Sequence, residues 1–571
     1  MRVKTAAALL LLGLIALVAG IGQLTFWAPP QTVTATLQAD VKAAPLTVID
    51  TKLRSLRGGE ADVAIKGDGN FVLAVGRPDD VAAWVGKTAH TTIDGASADG
   101  KQLTASFTDG EPSAPSPASA DTFATAQNAS GSLDYRWDLP DDGDWQLVLA
   151  TDGTKPAPHD ITITWPSNET TPWAVPLIVL GALLLAAAIV LLVIRRGGPG
   201  ARKPAAEAAA QPGPDAGDST PGRAERRSAR RAASAAVAVV VALVTGAGAA
   251  HATTAPSPPG SANPSPASSA ASASASAAPA QEKVLVDEQL QRILDQVANA
   301  VAAGDQAKDS KQLEPRVGES ALLARTQNYK IRASVASAAA LSPVRGASLR
   351  TSVVTTQRSW PRTVMAVTRG EGNTTPQILT LRQDNARANY KLIEVSPLLP
   401  GPAFPNAPKA GAEQLALDAK SGLAYSPNEA LRGLGDRLTN GDAWKDKIPE
   451  NAYIKDTLDY EADVVKTSPN GNLTFTHNPT ANDAVAYRTA DGGAILVAPL
   501  DFTISGTPKS SGDKVTLADD SAAALAGGKE ATTKMTLQFR ESVVLYIPAD
   551  GAKGQLTLVG ATRNLVGASV S

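Results

Sequence analysis

Apolar positions along the chain follow three patterns: unbroken runs, period-two alternation and a helical stripe. Two runs are long enough to matter at once. Thr5–Gly22 follows Arg2 and Lys4, and Trp173–Ile194 carries no charge over 22 residues before closing on Arg195 and Arg196. At 1.5 Å rise per residue the second run extends roughly 33 Å, enough to cross a bilayer. A third, Ala232–Ala250, is uncharged but rich in Ala and Val, so its insertion is weaker than that of the Leu-rich run. It ends in Ala250-His251-Ala252, a small-residue cleavage pattern. Uncleaved, residues 232–252 form a third membrane helix; cleaved after Ala252, they are an internal signal peptide.

Residues 1–30 read as a retained signal anchor in preference to a cleaved signal. No Ala-x-Ala site follows the Leu-rich core, and Trp27 with Pro29-Pro30 suits the outer end of a helix. Residues 31–170 show alternation at Val33/Ala35/Leu37, Trp145/Leu147/Leu149 and Ile161/Ile163/Trp165, the mark of half-buried strands. Gly67-Asp68-Gly69-Asn70 reads as a turn before a strand at Phe71–Val75. The expected fold is an all-β, sandwich-like ectodomain with Trp137 and Trp145 in or near its core.

The stretch from residue 281 to 571 mixes both periods. Leu290, Ile293, Leu294, Val297 and Val301 make an amphipathic helix ending near Gly304, and a second helix covers Gly318–Asn328. Strands follow at Thr363–Thr368, Gln377–Gln383 and Asn389–Val395, before the Pro-rich break at Pro397–Pro408. Helical patterns return at Gly411–Leu417 and Pro427–Leu438. Strands follow again at Asp483–Thr489, Ala494–Ile504, Thr533–Pro548 and Gln555–Leu565, with a hairpin turn at Ala490–Gly493. Helices first and strands after, twice, predict an α+β domain of two similar halves, 281–408 and 409–571.

Charge supplies the orientation. Residues 28–170 hold 10 Lys and Arg against 20 Asp and Glu, whereas 195–231 hold 9 against 4. The positive-inside rule makes 195–231 a basic cytoplasmic loop, disordered by composition, with the amino terminus on the same side. Residues 31–170 and everything from Thr253 are then extracytoplasmic, the latter beyond a Ser/Ala/Pro linker at 253–280. The bilayer is the expected partner of 1–30, 173–194 and 232–252, and a formal charge of −2 argues against nucleic acid. With no cysteine, disulfides, thiolate nucleophiles and zinc–thiolate sites are excluded.

Candidate chemistry is sparse. Asp138, Asp141, Asp142 and Asp144 cluster in a Gly-containing turn and are weak calcium candidates, since no Glu closes an EF-hand spacing. A solvated acidic hairpin is the simpler reading. Among four histidines none pair at metal-ligand spacing. His477, the sole histidine of 281–571, could act as a general base with Asp483, although a lone loop histidine is more often surface or structural. No nucleophile elbow, Walker loop or dinucleotide-binding pattern occurs, and no catalytic residue, metal or cofactor is assigned.

Two resemblances add to this. The helix-then-curved-sheet order of 281–571 resembles the SnoaL-like, nuclear-transport-factor-type cone fold, some members of which use a pocket for catalysis or ligand capture. The overall plan, with Asn70-Phe-Val-Leu-Ala-Val-Gly-Arg-Pro-Asp-Asp-Val-Ala-Ala-Trp-Val-Gly-Lys-Thr-Ala-His90, Leu379-Thr-Leu-Arg-Gln-Asp384 and Tyr390-Lys-Leu-Ile-Glu-Val-Ser-Pro397, resembles multi-pass envelope proteins of actinobacteria. That family carries a C-terminal exported domain without an assigned activity. The expectation is an integral membrane envelope protein whose exported domains bind a partner, a wall component or a small ligand. The rival is an exported enzyme acting on wall glycan or lipid. A pocket with several convergent ionisable groups including His477 would favour the enzyme.

Overall fold

The computed structural model describes residues 2–38, 40–58, 60–137, 143–167, 169–193, 282–480 and 483–571. The chain divides into two compact units, Met1–Ala19 with Pro176–Ala278 and Gly20–Val175 with Pro279–Ser571. The third apolar run, the basic loop and the Ser/Ala/Pro linker lie outside the described residues.

Helix α1 (Arg2–Leu24) comes first. The chain then forms β1 (Thr32–Leu37), β2 (Leu46–Ile49), α2 (Lys52–Ser55), β3 (Ala61–Gly76), α3 (Pro78–Val85), β4 (His90–Ala96), β5 (Gln102–Thr108), β6 (Thr125–Trp137), β7 (Gln146–Ala150) and β8 (Asp160–Pro166). Seven strands close a barrel in the order β3-β7-β2-β4-β5-β1-β8, with β8 returning to β3, while β6 pairs with β3 outside the ring. Two pairings, β1 with β5 and β2 with β4, are parallel.

The all-β expectation for 31–170 stands, but the sandwich gives way to a closed barrel. Alternation reports one buried face, which both architectures share. Closure depends on β3. Its first half pairs with β8, its second half with β7, and the register with β6 shifts between Lys66 and Asn70. Gly67–Asn70 is therefore an irregularity inside one 16-residue strand, where a bend replaces the expected turn. Trp137, Trp145 and Trp165 are buried in the barrel core, as expected for the first two.

Helix α4 (Ala174–Val193) follows the barrel. Among the described residues, Val3–Leu24 and Ala174–Val193 are the two helices long and apolar enough to cross a membrane, with mean hydropathies of 2.4 and 3.0. They pack where small residues let backbones approach. A Cβ on Gly181 would lie 2.7 Å from the Leu17 amide nitrogen and 2.8 Å from the Gly13 carbonyl oxygen. Leu11, Leu12, Ile15, Leu183 and Ile189 remain exposed.

The C-terminal region opens with α5 (Asp287–Ala307) and α6 (Glu319–Ser334). An antiparallel meander follows, made of β9 (Leu349–Val354), β10 (Arg362–Thr368), β11 (Gln377–Gln383) and β12 (Lys391–Pro397). Next come β13 (Gln414–Leu415), α7 (Pro427–Thr439), α8 (Ala452–Thr467), β14 (Gly471–Pro479), β15 (Val485–Arg488), β16 (Ala494–Pro508), β17 (Val515–Thr516), α9 (Asp520–Ala526), β18 (Glu530–Ala531), β19 (Met535–Ile547) and β20 (Thr557–Val570). The larger sheet runs β13-β15-β16-β19-β20, with β14 also on β16. The helical pattern read at Gly411–Leu417 is corrected to the short strand β13. Gly411 has φ 112°, a backbone setting that breaks a helix before it starts. Helix α8 and strand β14 were not anticipated.

The barrel and the C-terminal region belong to one unit, and their seam is buried and charged. The Asp121 carboxylate accepts from Arg316 and, at 2.8 Å, from the Tyr390 amide. Arg362 meets Asp80 at 2.7 Å with both side chains almost fully buried. Burial raises the Asp80 carboxyl above its ordinary range despite that guanidinium. Arg292 donates to the carbonyls of Phe123 and Ala124 at 2.6 Å each, and Arg387 to those of Trp84 and Val85 at 2.7 and 2.8 Å. Trp84 and Phe123, edge-to-face at 5.0 Å, close the seam's apolar centre together with Ala386 and Trp360.

Candidate functional site

A cavity of about 160 Å³ lies where the two parts of the C-terminal region meet. Ser320, Ala324 and Arg325 reach it from α6, Gln377 from β11, Glu394 from β12, Arg540 and Ser542 from β19, and Thr562 and Asn564 from β20; Asn373 comes from the loop before β11. Strand geometry explains the selection. Side chains alternate across a sheet, so Arg540 and Ser542 face the cavity while Glu541 between them faces the other side. Register places Asn564 opposite Arg540 and Thr562 opposite Ser542, which completes the wall.

Glu394 forms the floor. It is 3% exposed, the hydroxyls of Ser320 and Ser542 reach its carboxylate, and its Oε1 has no partner. Burial raises its pKa to about 7, against the lowering pull of those hydroxyls and of Arg540. Gln377 donates from Nε2 to the Pro343 carbonyl at 3.0 Å, leaving Oε1 unpartnered. Both amide atoms of Asn373 and the Nε of Arg540 are also buried without partners. The cations are committed elsewhere: Arg325 grips Asp305 through Nη1 at 2.6 and 2.5 Å, and Arg540 pairs with Asp501 at 3.3 Å.

On the reverse face of the sheet lies a second cluster. His477 sits on β14, buried, and not on a surface loop. Its Nδ1 lies 2.7 Å from Glu541 Oε2 and its Nε2 3.0 Å from Glu461 Oε1, on α8. Tyr453 Oη donates to Glu541 Oε1 at 2.5 Å, and Phe502 stacks on the imidazole at 4.0 Å. Burial pulls the His477 pKa down, but the two carboxylates raise it more, so it ends above its ordinary value. The pairing proposed from sequence, His477 with Asp483, is replaced by His477 with Glu461 and Glu541. With both ring nitrogens occupied, His477 holds the sheet to α8; it does not line the pocket.

Of the four aspartates singled out for calcium, Asp138, Asp141 and Asp142 lie outside the described residues, and Asp144 is exposed. Among the described residues, no group of three His, Cys, Asp or Glu side chains is placed to hold a metal ion. Sequence reasoning passed over Glu394, Gln377, Asn373 and Arg540. Their one visible signal was Glu394 at an inward position of an otherwise apolar strand, Leu392-Ile-Glu-Val395.

Fold and site together define a β-barrel joined to an α+β domain that carries a small polar pocket, in a chain with two helices able to span a membrane. The C-terminal region, residues 281–570, matches the family described as Domain of unknown function (DUF8094), and the chain belongs to that family. No curated protein and no solved structure matches it.

Proposed function

We propose that this chain is a multi-pass membrane protein whose two extracytoplasmic domains form one body that binds a small ligand in the C-terminal pocket. The observation that carries the reading is the buried seam. Barrel and C-terminal domain share ion pairs that only form when both lie on the same side of a membrane. Helix α4 stands between them in the chain, so one crossing there requires a second before residue 282, and the run at 232–252 is the segment apolar enough to supply it. The SnoaL-like reading of 281–571 stays part of this proposal, supported by helices preceding an antiparallel sheet in both halves.

Binding is favoured over hydrolysis of wall glycan. Glycoside hydrolysis generally uses two carboxylates flanking the bond. Among the described residues the cavity presents one, Glu394, and His477 is outside it. The absence of cysteine makes the topology directly testable, because any introduced thiol is the only one. Ala98→Cys in the barrel and Ser511→Cys in the C-terminal domain should react with a membrane-impermeant maleimide on intact cells. Ala209→Cys should react only after permeabilisation. A barrel thiol and a C-terminal thiol protected on opposite sides would overturn the proposal.

A further inference from the structure

We propose that the pocket takes a neutral polyhydroxyl ligand no larger than a single sugar ring. This rests on the reading of the pocket as a binding site and names its ligand class. Five buried side-chain atoms converge there without partners: acceptors on Glu394 Oε1, Gln377 Oε1 and Asn373 Oδ1, donors on Asn373 Nδ2 and Arg540 Nε. Two of the contributing side chains, Glu394 and Gln377, are 3% and 4% exposed. Buried polar groups are ordinarily satisfied, so this concentration in one cavity marks where a complementary molecule is received.

Charge narrows the class. An anion would face the Glu394 carboxylate, and a cation would lie against Arg540 and Arg325, the two guanidinium groups of the lining. What remains is a ligand without net charge that donates and accepts from the same atoms. A hydroxyl does both, and a ring bearing several of them can answer three acceptors and two donors at once. Ser320, Ser542 and Thr562 add hydroxyls that rotate to suit either role. Ala321, Ala324, Leu341 and Val395 supply apolar wall for the C–H face of such a ring. A cavity of about 160 Å³ is close to the roughly 150 Å³ that accommodates one benzene-sized ring.

The test is calorimetric titration of the detergent-solubilised full chain with glucose, galactose and myo-inositol. Tetramethylammonium is the cationic probe, and inorganic phosphate and acetate are the anionic ones. At least one polyol should bind at pH 8, where the Glu394 carboxylate is ionised, with affinity falling about 10- to 100-fold in Glu394→Gln, as expected for losing a charge-assisted hydrogen bond in a buried site. Asn373→Ala, in a loop and less tied to folding, should weaken it in the same direction, while Asp459→Asn on the exposed face of α8 leaves it unchanged. If tetramethylammonium or an anion binds and loses affinity in these variants while no polyol does, the ligand class is wrong and the binding pocket stands. If none of the probes binds the wild-type chain, both readings fall.

Discussion

Asp121 offers the sharpest perturbation of the seam. Its carboxylate is 1% exposed and receives both the Arg316 guanidinium and the Tyr390 amide, from two separate stretches of the C-terminal domain. Asp121→Ala leaves a nearly buried guanidinium, still bonded to Gln296, without its counter-charge, and an amide without its acceptor. Breaking a buried pair by removing one partner costs about 3–5 kcal/mol. If that cost falls on docking, it corresponds to an association weaker by about 140- to 3,700-fold, at about 1.4 kcal/mol per tenfold. The assay inserts a protease site near residue 260, cleaves the purified full-length protein, and follows the tagged C-terminal fragment by size-exclusion chromatography. Wild-type fragments should co-elute after cleavage, and the Asp121→Ala fragments should separate at micromolar concentration. Separation of the wild-type pieces, or co-elution of the variant with undiminished affinity, would refute the assignment of the seam as a specific interface. The same result bears on Ala252: natural cleavage there would cut the chain without releasing its C-terminal domain.

Four further outcomes are expected. Glu394 has a folded pKa near 7 against an ordinary 4.5, so its protonated form is favoured in the folded state and stability falls as pH rises from about 4.5 to 7, by about 3 kcal/mol; the thermal midpoint of Glu394→Gln should show a visibly flatter slope over that window. His477, also raised, stabilises below its ordinary pKa of 6.5 and loses that contribution as pH climbs through its higher folded value, so a residual decline above pH 6.5 should persist in Glu394→Gln; a variant whose profile stays as steep as wild type would contradict the first assignment. His477→Ala sets Glu461 and Glu541 facing each other and should cost about 3–5 kcal/mol, read from the denaturant midpoint, with an unchanged midpoint counting against a structural role. Gly435→Ala places a Cβ 2.6 Å from the His477 carbonyl oxygen, a backbone atom that cannot swing aside, and should cost about 1–3 kcal/mol by the same measurement.

Much of the secondary structure was legible because it is local. Pro427–Leu438 became α7, Gln377–Gln383 became β11, and the stripe from Leu290 to Val301 became the buried face of α5. Helix α8 escaped; its buried positions are Ile454, Thr457 and Glu461, two of the three polar. The same helix supplies the partner of His477, so missing one meant misplacing the other. The pocket draws on α6, β11, β12, β19 and β20, from Ser320 to Asn564, and no spacing in the chain announces such a meeting. Nor does alternation distinguish a barrel from a sandwich, since that choice was made by the bend inside β3.

The seam also sets a timetable. The last barrel strand ends at Pro166, and the arginines that cover Asp80 and Asp121 lie on segments running to β12, which ends at Pro397. At about 5–20 residues per second, roughly 10 to 50 s of synthesis separates a complete barrel from its complete mate. Throughout that interval Trp84, Phe123 and two carboxylates destined for burial stand uncovered, so the nascent barrel is the stage of this protein's life most open to misassociation.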